Sequence, residues 1–169
     1  MIKAIVAVDT NWSIGKDNDL LFKLPYDMSF FKRNTQDKVV VCGRKTLESF
    51  PGKKPLPKRA TICLCSKDNN RNDCYCVNSL EELTKLISEL SKVQDVFIIG
   101  GGSIYKALLP YYDEVLVTKV QADGNGTVFF PNLDKDEKFE LSYCSEDIQD
   151  NGYTINFCTY KRKLSNEQK

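Results

Sequence analysis

Short runs of β-branched and apolar residues recur along the chain, and helical spacing appears between the early ones. The runs are IKAIVAV (2–8), KVVVC (38–42), ATICLC (60–65), CYCV (74–77), VFIIG (96–100) and EVLVTKV (114–120). Apolar residues at consecutive strand positions need cover on both faces, the signature of a parallel sheet with helices on each side. Helices are expected near 26–34, 44–49, 79–90 and 103–109. The best marked is SLEELTKLISEL, where Ser79 and Glu82 form a capping box and Leu80, Leu83, Leu86, Ile87 and Leu90 make one stripe. Two longer strands, near 138–147 and 153–162, end the pattern, and the Asn-Gly of DNGY between them suits a tight hairpin turn. The expected fold is α/β: a single domain with an eight-stranded, mostly parallel twisted sheet, an antiparallel C-terminal hairpin and four main helices on both faces.

At 169 residues the chain suits one domain, here 1–163, followed by a polar tail, LSNEQK (164–169), that is expected to fray. A net charge of +1 gives no footprint for nucleic acid and no general attraction to an anionic membrane. The opening MIKAIVAVDTNW is interrupted at Asp9 too early for a signal peptide or a span, and seven cysteines without an export signal point to a reducing cytoplasm. Cys63/Cys65 and Cys74/Cys76 form two C-x-C pairs, each on one face of a strand. They read as buried structural thiols in preference to a metal site, which favours C-x-x-C or mixed Cys/His spacing.

Sheets of this kind bind ligands at the carboxyl ends of their strands, here the loops 9–24, 43–46, 65–67 and 100–105. In FIIGGGSIY, a buried strand runs into Gly100, Gly101 and Gly102 and then a helix. Three glycines cost roughly 1.5–3 kcal/mol relative to alanines in regular structure, so something there requires a bare backbone. The two readings are a pyrophosphate on a helix N-terminus and a tight strand-to-helix turn. VVVCGRKTLESF repeats the design, with Gly43 ending a strand and Arg44, Lys45 and Thr46 opening a helix. Basic groups there oppose the helix dipole unless an anion lies between them, though a solvated basic turn is the plainer alternative. Ser66 and Lys67 after the next strand suit a phosphate monoester, and Arg59 suits a carboxylate; for each, taken alone, an ordinary polar surface is the plainer reading.

The chain contains no histidine, so the usual acid/base near neutral pH is missing. One carboxylate stands out. Asp27 lies in LLFKLPYDMSFFKRN and shares a helix face with Phe30 and Phe31. It either serves the first helical turn after Pro25 or is a desolvated acid with a raised pKa, poised for a proton or an amidine-like ligand edge.

Taken in order, IVAVDTNWSIG, LPYDMSFFK, GRKTLESF, PLPKRATICLCS, VFIIGGGSIYKALLP, EVLVTKV and FFPN resemble the dihydrofolate reductase family, bacterial type, over residues 1–162. The resemblance implies reduction of 7,8-dihydrofolate with NADPH, with antifolate-type small molecules as further ligands and a monomeric, cytoplasmic protein. It implies that Asp27 binds the pterin, with Thr118 hydrogen-bonding its carboxylate or the ring amino group. It places Ile5 and Ile99 carbonyls at the pterin edge, beside Val6 and Ala7. Leu20, Met28, Phe31, Ser49, Phe50 and Leu56 would wall the pocket, and Arg59 would pair with the glutamate α-carboxylate. Cofactor contacts would come from Ala7, Ile14 and Gly15, from Gly43 to Thr46, and from Leu64, Cys65, Ser66 and Lys67. A last set would be Gly100, Gly101, Gly102, Ser103, Ile104 and Tyr105, with a cis peptide between Gly100 and Gly101. Gly15 and Leu20 would belong to a loop that closes over the nicotinamide. The pattern departs from the family at Phe22, where tryptophan is usual, at Ser103, where some relatives carry arginine, and at Thr127, where an acid is common. Among other proteins of this fold, a pyrimidine reductase of riboflavin synthesis is the alternative, disfavoured by LPYDMSFFK and Arg59.

Overall fold

The structure is a computed structural model and describes residues 1–16 and 19–164. Its strands are β1 (Ile2–Val8), β2 (Ser13–Lys16), β3 (Asp19–Leu20), β4 (Val39–Gly43), β5 (Ala60–Leu64) and β6 (Tyr75–Val77). After these come β7 (Val96–Gly100), β8 (Glu114–Val120), β9 (Val128–Phe129), β10 (Phe139–Cys144), β11 (Ile148–Asp150) and β12 (Tyr153–Arg162). The α-helices are α1 (Pro25–Thr35), α2 (Arg44–Glu48), α3 (Leu80–Leu90) and α4 (Gly102–Ala107).

Eight strands make the main sheet in the order β10-β12-β8-β1-β7-β4-β5-β6, and the short β11 pairs with β12. The run from β8 to β6 is parallel, while β12 is antiparallel to both β8 and β10. Strand alternation divides the core into two layers. Ala4, Val41, Ile98 and Val117 face one side, where Leu83 and Ile87 of α3, Ile104 of α4 and Leu108 just after it cover them. Ile5, Val40, Phe97 and Ile99 face the other, against Leu47 of α2 and Phe30 and Phe31 of α1. The strands thus read as unbroken apolar runs because both faces are covered, as expected.

The longer strand expected near 138–147 is two strands. The segment 145–147 separates β10 from β11, both strands pair with β12, and β10 itself carries a bulge at Leu141/Tyr143. There Ser145 Oγ accepts the Phe157 amide at 2.8 Å, a side-chain bond in place of a ladder bond. The hairpin turn is at Asn151-Gly152, where both φ angles are positive (52° and 85°), as a two-residue primed turn requires. Ser79 caps α3 through its hydroxyl, but Glu82 reaches back to the Asn78 amide, one residue beyond the expected partner. A second sheet, β3-β2-β9, forms within loops that show no periodic pattern. Residues 165–169 of the expected tail lie outside the described residues.

The C-x-C pairs do point to one face. Cys63, Cys65, Cys74 and Cys76 share the second core layer with Cys42, and all seven cysteines are free. Burial is the largest effect on Cys65 and Cys74 and pushes their thiols up, to about 11 and about 12. They are inert apolar filling at neutral pH.

Candidate active site

The carboxyl ends of β1, β4, β7 and β8 open onto one cleft, and α1 borders it. Pro25 starts that helix and Asp27 lies in its first turn. Across the cleft, Thr118 of β8 stands beside Ala7 of β1 and Phe157 of β12. The buried Thr118 hydroxyl donates to Asp27 Oδ1 at 2.6 Å. Asp27 keeps part of its surface open to the cleft, yet burial is the largest influence on it and pushes its pKa up. The Thr118 hydrogen bond offsets this in part, and the charge of Asp150 pushes the same way as burial. Of the two readings of Asp27, the desolvated acid is the one this environment supports.

Around it, Ile5, Phe31, Phe50, Leu56 and Ile99 pack in one apolar layer. Phe30 stacks on Phe157 with ring centroids 4.1 Å apart, which fixes α1 against β12. Leu20, Met28 and Ser49 are exposed. Val6 departs from expectation: alternation along β1 turns its side chain into the opposite core layer, so only its backbone is shared with Ile5 and Ala7. Phe22 packs edge-on against Tyr153 at 4.8 Å and beside Leu24, Val120 and Ile155. It is a hydrophobic plug at this position and brings no hydrogen-bond donor.

Arg59 is held in place by its neighbours. Its Nε donates to Thr35 Oγ1 at 2.8 Å, Nη1 donates to the Pro57 carbonyl at 2.9 Å, and the guanidinium lies 5.6 Å from the Phe31 ring centre. An arginine fixed through Nε and Nη1 with Nη2 left over is suited to a carboxylate.

The two glycine junctions come together because β4 pairs with β7, Cys42 opposite Gly100. The Gly100–Gly101 peptide is cis, and Gly100 has φ +120°, a conformation that side chains rarely adopt. A Cβ on Gly101 would lie 3.1 Å from Thr46 Oγ1, and one on Gly43 would lie 3.3 Å from the Ile104 side chain. The close approach of the junctions thus accounts for two of the glycines. Neither α2 nor α4 has a side-chain cap, which leaves first-turn N–H groups for an anion. A dinucleotide phosphate chain fits this pair of bare, uncapped turns. Arg44 extends toward solvent and pairs with Glu48 at 3.1 Å, while Lys45, Ser66, Lys67 and Ser103 are exposed. Leu64 packs against one core layer and Cys65 lies in the other.

Ile104 and Tyr105, both expected among the cofactor contacts, are buried in the main core. The Tyr105 hydroxyl donates to the Ile5 carbonyl at 2.7 Å, taking one lone pair of an oxygen expected at the pterin edge.

Two acids with a structural part were not singled out from sequence. Asp9 is buried and accepts amide bonds from Asn11 at 2.9 Å, Ser13 at 2.8 Å and Gly124 at 2.9 Å. Burial alone would raise its pKa, but hydrogen bonds bring it below the usual carboxylate range. It ties the start of β2, which carries Ile14 and Gly15, to the loop before β9. Thr127 continues that tie through its amide, which donates to the Gly15 carbonyl at 2.9 Å. The other acid is Asp150, whose carboxylate accepts the Tyr26 and Asp27 amides. The capped helix start is 123 residues from its cap, a separation at which no sequence pattern operates.

Residues 1–162 match the family model for dihydrofolate reductase. The chain is 35% identical to the dihydrofolate reductase of Bacillus subtilis over 99% of its own length and 98% of that protein. It is 36% identical to that of Staphylococcus haemolyticus, with 95% of each covered. A solved structure of the Enterococcus faecalis enzyme, complexed with NADP(H) and RAB-propyl, superposes with a TM-score of 0.84 at 32% identity, covering 97% of each chain. With an acid held by a threonine in an apolar cleft and paired glycine turns beside it, this chain belongs to the dihydrofolate reductase family.

Proposed function

We infer that the protein reduces 7,8-dihydrofolate to 5,6,7,8-tetrahydrofolate with NADPH, and that Asp27 is the acid on which the pterin is oriented. The observation that carries this reading is the Thr118–Asp27 pair at 2.6 Å, which faces an apolar cleft lined by Ile5, Phe31, Phe50 and Ile99. When bound, NADPH supplies the hydride, from C4 of its nicotinamide to C6 of the pterin. The chain positions both rings and provides for the proton at N5. Asp27 holds the 2-amino group and N3 of the pterin, and Thr118 fixes the carboxylate that does so. Burial raises the pKa of Asp27, which brings its carboxyl nearer to the range suited to a proton donor than an exposed carboxylate would be. Arg59 takes the glutamate carboxylate at the cleft mouth. Gly43 and Gly101 bring bare backbone to the cofactor phosphates, and Ser66 with Lys67 takes the 2′-phosphate.

The test is loss of NADPH absorbance with dihydrofolate, run beside the substrate of the riboflavin-pathway pyrimidine reductase. Turnover of dihydrofolate alone is expected. Asp27→Asn is expected to cut that turnover at neutral pH at least about tenfold, or about 1.4 kcal/mol of barrier. Near-native turnover in the variant would remove Asp27 from the mechanism. No helix among the described residues is long and apolar enough to cross a membrane. Our reading is a cytoplasmic monomer without nucleic-acid partners, to be checked by gel filtration and cell fractionation.

A further inference from the structure

Helix α1 begins without a cap of its own. Leu24 at the cap position offers no side-chain acceptor. Asp150 of β11 supplies one from the other end of the chain. Its Oδ1 accepts the Tyr26 amide at 3.1 Å and its Oδ2 accepts the Asp27 amide at 3.0 Å. Asp150 is only 5% exposed. The same hairpin turn grips the strip before the helix: Asn151 Nδ2 donates to the Lys23 carbonyl at 2.8 Å, and the Tyr153 ring meets Phe22.

We propose that Asp150 is a positioning residue for the reduction: it fixes the backbone of Asp27 and stations a second carboxylate behind the first. This rests on the reading of Asp27 as the pterin-binding acid. A carboxylate whose two oxygens each accept a first-turn N–H makes two charge-assisted bonds at the positive end of the helix dipole. Its charge then opposes ionisation of Asp27, and the two effects come from one side chain. Among the described residues, the other groups in direct contact with the Asp27 carboxyl are neutral. From β8 it meets the Thr118 hydroxyl, and from α4 the Tyr105 phenol, which burial keeps protonated. The Arg59 guanidinium stands across Phe31, tied to Thr35 and Pro57. Asp150 therefore supplies the nearby charge, so a neutral residue in its place should make Asp27 a stronger acid.

The test uses the full chain with Asp150→Asn and Asp150→Ser. Both residues are good helix caps and keep an oxygen for the α1 amides. The Asp27 carboxyl is titrated by carbon NMR in the ligand-free protein, and dihydrofolate turnover is followed against pH. A reaction that needs a proton at the pterin declines as pH rises through the pKa of its acid. In both variants the carboxyl midpoint and the alkaline decline of kcat are expected to move together to lower pH, by about half a pH unit or more. Unmoved midpoints, or a uniform loss of kcat with an unmoved profile, would overturn the proposal and leave Asp150 a structural cap. Loss of native circular dichroism in both variants would do the same. Absence of dihydrofolate turnover in the unmodified protein would sink the Asp27 reading instead, and the NMR titration would still judge Asp150.

Discussion

Thr118→Val replaces a hydroxyl with a methyl of nearly the same shape at a residue that is 2% exposed. What it removes is the 2.6 Å bond to Asp27 Oδ1. A hydrogen bond to a charged group is worth about 1.5–3 kcal/mol, and a neutral one about 0.5–1.5 kcal/mol. The sign with pH follows from Asp27. Its folded pKa is raised, so its charge destabilises the fold above that pKa, and the Thr118 hydroxyl reduces the penalty. Without the hydroxyl the pKa rises further. The added penalty is fully present at pH above the folded pKa of Asp27 and fades as the pH falls through it, because the neutral acid loses only a neutral bond. For a chain of this size, about 2–4 °C per kcal/mol gives a melting temperature lower by about 3–12 °C on the alkaline side. The same energy sets the ceiling on lost transition-state stabilisation, about 10- to 150-fold in kcat/KM for dihydrofolate. Thermal unfolding from mildly acidic to mildly alkaline pH, with turnover in parallel, measures both. A destabilisation of equal size at every pH, or none at all, would refute the argument that this bond serves the ionised carboxylate.

Arg59→Ala should raise KM for dihydrofolate about 10-fold or more through loss of a charge-assisted pairing, and leave KM for a dihydropterin without the glutamate tail unchanged. An equal rise for both substrates would contradict the carboxylate assignment. The unmodified protein should use NADPH far better than NADH, and Lys67→Glu should narrow the gap by about 10-fold; equal use of the two by the unmodified protein would refute the 2′-phosphate site. In Gly126→Ala the new Cβ would lie 2.6 Å from Ser13 Cβ and Oγ and 3.0 Å from the Gly15 carbonyl. The overlap should push the β2 loop off β9, at about 1–3 kcal/mol, seen as a lower melting temperature and slower turnover. Unchanged stability would show that the loops separate freely.

What could be read from the sequence was whatever repeats along it or stands out locally. The apolar runs of β4, β7 and β8 declared a doubly covered sheet, and Gly43 and Gly100–Gly102 marked the turns at its carboxyl edge. Asp27 was visible because its neighbours were apolar. What escaped depends on partners far away in the chain. β3 and β9 are two residues long, too short for any period to appear. The strand expected over 138–147 looked continuous because Ser145, Glu146 and Asp147 break no rule of composition; the break arises where Ser145 bonds to Phe157. By sequence Asp9 reads as an interruption and Asp150 as a turn residue, since the amides they hold at Gly124 and Asp27 cannot be inferred from neighbouring letters. Val6 was assigned to the pocket with its neighbours, although strand alternation alone turns it away.

The position of β12 in the sheet bears on how the protein comes to be active. This strand, late in the chain, lies inside the sheet between β8 and β10, and it brings Phe157 under α1. The hairpin leading into it brings Asp150 to the start of that helix. Residues 22–31 leave the ribosome early but find their support only after residues 150–157 have followed. Pairings across such separations are slow to form, because loop entropy is lost before contacts reward it. Assembly of the sheet therefore ends where the chemistry begins, and a nascent chain that stops short of β12 has the acid without the frame that aims it.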